Sequence, residues 1–424
     1  MFDTTLIDEV KLKGKRVFMR VDFNVPLDKK GKITDNGRIK AAVPTIKYAL
    51  QEGAKCVVLA SHLGRPNGQV KAKFSLRQIV DEVSSCLGIS VTFLPECIGP
   101  DTEAKVNAGS NGSVFLLENL RFHIEEQGKG KDKSGKKIKA KHENVKKFRE
   151  SLSRLGDVYI NDAFGTCHRK HSSMVGVNLP VKAAGFLIKK ELESFQQALA
   201  EPKRPFVAVL GGKKVRDKLP LIKNLINIVD EVIISGAMAW TFLKVLGMDI
   251  GTSIYDEPGG KLVPQIFEMA NKHGVRIYLP VDSVATPKFD AYAEWQIVTR
   301  KEGIPKGWMG LDIGPRSQEI FQRVILGART VIYNGPQGVF EMAAFANGTR
   351  ALLRAMAEAT EIYGCCTIVG GGDSASAARK FGYADRMQHV STGGGASLEL
   401  LQGKILPGIS HLDKGRGDKI VSRL

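Results

Sequence analysis

Arg20, Arg38, His62, Arg65, Arg121, His168 and Arg169 fall at or near the ends of strand-like runs, with Asp22 and Asn24 beside them. A planar guanidinium grips phosphate or carboxylate oxygens through paired hydrogen bonds. One such residue is an ordinary surface group. Five turns that each bring Arg or His to one edge of a sheet describe a site for a small phosphorylated acid. The run VFMRVDFNVP (17–26) poses the question most sharply. Its apolar residues read as a buried strand, yet Arg20, Asp22 and Asn24 occupy alternate positions and so share one face. An edge strand with one wet face would give that pattern; beside the other turns, the polar face reads as the floor of a ligand site. Arg20 either joins that floor or pairs internally with an acid such as Asp22.

The second half of the chain offers bare backbone where the first offers cations. In GGGDSASAA (370–378) a glycine turn opens a helix, and free N–H groups together with the helix dipole favour an anion there. Asp373 and Ser374 begin that helix and could also meet a magnesium ion; an N-capping Asp on an ordinary loop is the plain alternative. GGKKVRDK (211–218) adds Lys214 and Lys218 just after a strand and a glycine turn, within reach of phosphate oxygens if they are not simply exposed helix lysines. Several such turns in one sheet point to a nucleotide. No strict G-x-G-x-x-G follows a strand, so a dinucleotide site is not supported. The Walker-like Gly130–Lys137 stretch lacks the Ser/Thr that would hold magnesium and has no strand before it.

These turns need elements to position them. In the second half FVAVLGGKKVRDK (206–218), EVIISGAMAW (231–240), VIYNGPQGVFE (331–341) and CTIVGGGDSASAA (366–378) each pass from a β-branched run through a turn into a helical pattern. CVVLA (56–60), VFLL (114–117) and VYI (158–160) do the same in the first half. Such alternation builds parallel sheets with helices on both faces, and ligands sit beyond the carboxyl ends of the strands. At 424 residues two domains are expected. The joint is placed in the helical segment 188–205, closed by prolines, with STGGG (391–395) a second flexible point.

Composition removes several classes. No apolar run is long enough to span a membrane, and the first residues lack the pattern of a secretory leader, so no secretion is expected. Six scattered cysteines without a CxxC pair speak against a zinc site and a disulfide scaffold. The formal net charge of +18 raises the question of nucleic acid, but residues 128–147 alone carry nine Lys against Asp132 and Glu143. That segment has no aromatic residue to stack on a base. It reads as a solvated lysine loop, and no nucleic-acid partner is expected.

Taken together the motifs resemble the phosphoglycerate kinases, in order from about residue 6 to 409. RVDFNVP (20–26), NGRIKAAVPTI (36–46), SHLGRP (61–66), LLENLRF (116–122) and NDAFGTCHR (161–169) are similar to that family's acid-binding half. LGGKKVRDK (210–218), MAWTFLK (238–244), LDIGP (311–315), NGPQGVFE (334–341), GGGDSASAA (370–378) and STGGGASLELLQGKILPG (391–408) are similar to its nucleotide half. The resemblance implies two Rossmann-like, doubly wound α/β domains joined by a helical hinge. Residues 1–187 with about 405–424 would form the N-terminal domain, the C-terminal tail returning to it, and 188–404 the C-terminal domain.

It also implies reversible phosphoryl transfer from 1,3-bisphosphoglycerate to MgADP, giving 3-phosphoglycerate and MgATP, by a monomer whose domains close. The acid would bind Asp22, Phe23, Asn24, Arg38, Ser61, His62, Gly64, Arg65, Arg121, His168 and Arg169. ADP or ATP would bind Gly212, Lys213, Lys214, Lys218, Gly236, Ala237, Leu311, Asn334, Pro336, Gly338, Val339, Glu341, Gly372, Asp373 and Ser374. Within these, Glu341 would meet the ribose hydroxyls and Asp373 the Mg2+. Arg38, Lys214, Gly371 and Gly372 would carry catalysis.

The chain departs from the family pattern at Lys213, Arg216, Ala237 and Ser374. Lys213 and Arg216 are expected to add charge near the phosphates. Two rivals are an NAD-dependent dehydrogenase, disfavoured by the missing fingerprint, and a basic nucleic-acid scaffold, disfavoured by the intact Arg38, Lys214 and Asp373. Ser422-Arg423-Leu424 resembles a peroxisomal address read by an import receptor. The location is therefore cytoplasmic or a peroxisome-like organelle, and the residues leave that open.

Overall fold

The computed structural model describes residues 3–200 and 202–415, so Ser422-Arg423-Leu424 lies outside the described residues. Two compact units divide the chain: one holds everything up to Leu192 and the segment from Ile405, the other Glu193–Lys404.

In the first unit, apolar β-branched runs form six parallel strands: β1 (Arg16–Val21), β2 (Cys56–Ala60), β3 (Thr92–Leu94), β4 (Ser113–Leu117), β5 (Val158–Asp162) and β6 (Lys182–Ala184). They lie in the order β3-β4-β2-β1-β5-β6. Central strands covered on both faces are buried throughout, which is why their sequences run apolar rather than alternating. Val17, Met19, Val57, Leu59 and Ile160 pack with Ile39 and Ile46 of helix α1 (Gly37–Gln51) in one core.

In the second unit, β7 (Phe206–Leu210), β8 (Glu231–Ile234), β9 (Arg276–Tyr278), β10 (Thr330–Asn334), β11 (Cys366–Val369) and β12 (His389–Val390) make a second parallel sheet. Its order is β9-β8-β7-β10-β11-β12. Val207, Val209, Val331 and Tyr333 pack there with Phe321, Leu352 and Met356. A small antiparallel sheet of Asp282–Thr286, Gln296–Thr299 and Met309–Ile313 is added beside it. Strand order reverses at β1/β5 in the first sheet and at β7/β10 in the second. Ligand crevices of open α/β sheets form at such points.

Helix α2 (Phe186–Leu199) carries the chain across the division at Leu192 and Glu193. Its first turn is held by Asp162 at the end of β5, whose Oδ1 accepts from Leu187 N at 3.0 Å and Ile188 N at 3.4 Å. The C-terminal segment returns to the first unit: Gly408 N donates to the Cys167 carbonyl and Asp413 N to the Lys182 carbonyl, each at 2.8 Å.

Two expectations change. Strand β1 stops at Val21, so Asp22 and Asn24 are loop residues and do not share a strand face with Arg20. The reason is local competition: Asp22 Oδ1 accepts from Asn24 N at 3.2 Å and Asn24 Oδ1 from Gly64 N at 2.7 Å, a side-chain alternative to the ladder. The lysine segment holds a hairpin, Lys129–Lys131 against Lys137–Lys139. Asp132 closes its turn, accepting from Ser134 N and Lys136 N. The STGGG run is hydrogen-bonded, Gly393 N donating to Ser391 Oγ, and leads into a helix at Gly395–Leu401. Among the described residues no helix is long and apolar enough to cross a membrane, and all six cysteines are free thiols.

Candidate functional site

In the first unit the turns after β1 and β2 are tied to each other. Phe23 N donates to Ser61 Oγ at 2.9 Å, and Arg121 Nη1 donates to the Gly64 carbonyl at 2.9 Å. From α1, Arg38 reaches across to form an ion pair with Asp22. Asp22, Phe23, Asn24, Arg38, Ser61, His62, Gly64 and Arg121 are thereby brought together. Arg65 and Arg169 stand exposed on their turns and His168 is half-buried.

Arg20 takes neither of the roles expected of it. Fully buried, it donates from Nε to Ser173 Oγ at 2.8 Å, from Nη2 to His62 Nδ1 at 3.1 Å, and from Nη1 to its neighbour's carbonyl at Val21. Asp22 is engaged by Arg38 instead. The partners of this network, Ser173, Glu126 and His171, escaped the sequence reading. Ser173 and His171 sit just past the recognised NDAFGTCHR motif. Nothing local marks Glu126 of IEEQ as the buried one of two neighbouring glutamates.

The electrostatics are those of a site short of negative charge. Burial, with Arg20 nearby, pulls Arg121 down to about 10, and its Nε is buried without a hydrogen-bond partner. Burial followed by Arg121 and Arg20 drives His62 well below its ordinary range and His171 down to about 3. Desolvated cations with donors to spare are relieved by an anion that accepts from them.

In the second unit, the turns after β7 and β10 cross in contact: Gly211 N donates to the Asn334 carbonyl at 3.0 Å. A Cβ on Gly211 would overlap the carbonyl oxygens of Gly335 and Pro336, so only glycine permits the crossing. Beside it lies a cavity of about 350 Å³ whose walls include Gly212, Lys213, Gly236, Ala237, Leu311, Pro336, Gly338, Val339 and Asp373. Trp240, Ile254, Phe289 and Met309 add an apolar wall that the sequence reading missed. Trp240 is fixed in it by donating Nε1–H to the Gly310 carbonyl at 3.1 Å. Apolar walls with a glycine-rich polar end suit a base attached to phosphates.

Lys214, Lys218, Asn334, Glu341, Gly371, Gly372 and Ser374 are not part of those walls. Lys218 donates to Asn334 Oδ1, Asn334 Nδ2 to the Gly370 carbonyl at 2.7 Å, and Gly335 N to Ser374 Oγ at 2.7 Å. The Lys218 ammonium and the turns after β10 and β11 are thus locked together. Burial lowers Lys218 to about 8, against the opposing pull of Asp373. Lys214 stands at the N-cap of helix α3 (Val215–Ile226). Gly371, at φ 100°, precedes helix α4 (Gly372–Lys380) and leaves its first N–H groups free for an anion. Glu341 is exposed, its carbonyl accepting from Lys380 Nζ at 3.4 Å.

Arg216, expected to add charge near the phosphates, turns to Asp256 instead. Its N–H donates to Asp256 Oδ2 at 3.0 Å and its Nε lies 3.5 Å from Oδ1. Away from both sites, Glu96, Cys97 and His123 converge, but Glu96 and His123 already satisfy each other at 2.8 Å. Burial keeps the Cys97 thiol protonated.

The comparisons agree with this geometry. The family model for phosphoglycerate kinase matches residues 7–404. A phosphoglycerate kinase of Neurospora crassa is 56% identical over 409 residues, 96% of this chain and 98% of its own length. Human phosphoglycerate kinase 1 is 56% identical over 408 residues, 96% of this chain and 97% of its own. Among solved structures, phosphoglycerate kinase from Coxiella burnetii superposes with a TM-score of 0.82 at 35% identity, covering 96% of this chain and 98% of that one. Two doubly wound sheets, their switch-point turns and this similarity over nearly the whole length converge: the chain belongs to the phosphoglycerate kinase family.

Proposed function

We infer that the protein transfers a phosphoryl group reversibly between 1,3-bisphosphoglycerate and MgADP, giving 3-phosphoglycerate and MgATP. The observation that carries this reading is the division of labour within one chain. One unit gathers cations without enough acids to balance them; the other has a base-sized cavity beside glycine turns. In this reading Arg38, His62, Arg65, Arg121 and Arg169 hold the acid, with Asp22 and Asn24 accepting or donating toward its hydroxyl and carboxylate. The cavity takes the nucleoside, and Lys214, Lys218 and the α4 N-terminus take the phosphates.

A magnesium ion keeps most of its waters and accepts one or two carboxylates along with phosphate oxygens. A single carboxylate at Asp373, on the cavity wall, suits that demand. Bound there with the nucleotide, the ion would neutralise phosphate charge.

No general base is required, because the attacking oxygen of ADP is already anionic and the leaving group is a carboxylate. The protein's share is positioning and charge stabilisation at the transferring group. Arg38, Lys214 and the N–H groups at Gly371 and Gly372 are assigned that share. Substrates held by separate units must be brought together with water excluded, so hinge closure is part of the proposal, as is action as a monomer. The peroxisome-type reading of Ser422-Arg423-Leu424 stands as a proposal against a cytoplasmic location. A fluorescent reporter ending in these residues enters peroxisomes if it holds and stays in the cytosol if it fails.

The deciding experiment is turnover of 3-phosphoglycerate with MgATP, trapping the acyl phosphate with a coupled dehydrogenase. The wild type turns over, and Arg38→Ala loses on the order of 10²–10³ in kcat. A wild type that binds ADP without turnover would end the enzyme reading.

A further inference from the structure

Arg20 offers a hydrogen-bond logic that runs in one direction only. A guanidinium donates from every nitrogen, accepts at none, and is not deprotonated in proteins. Its Nη2 lies 3.1 Å from His62 Nδ1, so Nδ1 is the acceptor and any ring proton sits on Nε2. An imidazolium there would set N–H against N–H and a second charge against a buried first. The guanidinium is itself held: Nε donates to Ser173 Oγ at 2.8 Å, and that hydroxyl spends its proton on Glu126 Oε1 at 2.6 Å. Glu126 also accepts from Ser173 N at 2.9 Å. Four elements therefore meet in one relay, Glu126 to Ser173 to Arg20 to His62, with every proton assigned.

We propose that Arg20, anchored through Ser173 by Glu126, is a positioning residue that locks His62 as the neutral Nε2–H tautomer, so that His62 presents one uncharged donor to the anionic ligand. The other titratable groups facing His62, Arg121, Arg38 and His171, all disfavour its protonation as well. Affinity for the acid then gains nothing from a histidine charge on mild acidification, although an ordinary His would titrate there. The ligand's charge is met by the arginines alone, and the histidine selects by hydrogen-bond direction. The role in ligand binding rests on the proposed function; the tautomer does not.

The test is 15N NMR of histidine-labelled full-length protein without ligand, from about pH 5 to 8, with His62 assigned from the missing signals of His62→Gln. The expected spectrum has a pyridine-like Nδ1 and a pyrrole-like Nε2 that do not move with pH. A His62 that titrates, or that averages its two nitrogens, overturns the proposal. In Arg20→Met burial and the remaining cations still disfavour the imidazolium, but nothing forbids a proton on Nδ1, so the two ring nitrogens should move toward averaged shifts. Arg20→Lys, which keeps a donor-only cation, should restore the fixed tautomer. Should Arg20→Met fail to fold, Ser173→Ala loosens the same relay. It should raise KM for 3-phosphoglycerate about tenfold with kcat nearly unchanged; an unchanged KM together with an unmoved His62 spectrum counts against the relay. Absence of turnover in the wild type with the tautomer intact would fault the function and the ligand role that rests on it, and leave the Arg20-fixed tautomer standing.

Discussion

At the residue scale, the cations assigned to the ligands in the proposed function are legible in the sequence, and the groups that tune them are not. Arg38 lies in the first turn of α1, Arg121 just after β4 and Lys218 in the first turn of α3, where a local pattern finds them. Glu126 and Ser173 matter because distant elements bury them against Arg20, and no spacing encodes that. Lys218 shows why the difference has consequences. Burial brings it down to about 8 from an ordinary 10.5, so the free protein loses this charge as pH rises through about 8. A polyphosphate prefers the ammonium and raises its pKa on binding, so ADP binding should take up protons just above that pH. ADP affinity measured by calorimetry should therefore fall on going from about pH 7 to 9.5, with buffer-dependent heats that report proton uptake. Lys218→Met should bind more weakly and lose the slope. A variant that keeps the wild-type pH profile would show that the slope belongs to another group.

At the scale of elements, β-branched runs were read almost to the residue: CVVLA is β2, Cys56–Ala60. The overrun of β1 past Val21 has a physical cause, since alternation counts side chains and is blind to an Asp that turns the chain by capping its own backbone. Glycine turns stand out in the sequence, which suggests phosphate sites, but their mutual contact does not. The sequence does not say that the turn after β7 lies against the turn after β10. Because Gly211 touches the Gly335–Pro336 backbone, with Gly335 itself at φ 103°, neither turn can give way to a methyl group. Gly211→Ala should lower stability by about 1–3 kcal/mol, the usual cost of overpacking, and weaken ADP binding along with it. The midpoint of denaturant unfolding and an ADP titration measure the two effects. A stable variant with normal ADP affinity would mean that the crossing of these turns is looser than the contact implies.

At the scale of the whole molecule, the buried titratable groups give the two units different expected pH dependences, which no composition predicts. In the second unit Asp312 is almost wholly buried, and burial raises it from 3.8 to about 8 despite N–H donors from Gly348 and Ile313. Between those two values the native state holds a proton that the unfolded chain has released. Its contribution is therefore complete below about 4, and stability falls as pH rises toward 8. In the first unit Asp162 is raised to about 7 by burial and has the same sign. There it meets opposition: His171, lowered to about 3, and His62, lowered well below 6.5, stay neutral when folded and take up protons when unfolded. Both histidines withdraw stability as pH falls through the range where Asp162 adds it. Between about pH 5 and 6.5 the two histidines offset Asp162 together with Glu126, which burial also raises, so the first unit should hold while the second weakens. Amide-exchange protection factors, corrected for intrinsic rates, should decline with pH in β10 and β11 and hold in β1 and β5. Asp312→Asn, which has no proton to lose, should flatten the decline in the second unit alone. A decline that survives Asp312→Asn would place the titrating group elsewhere, and equal declines in both sheets would mean that the histidines do not offset Asp162.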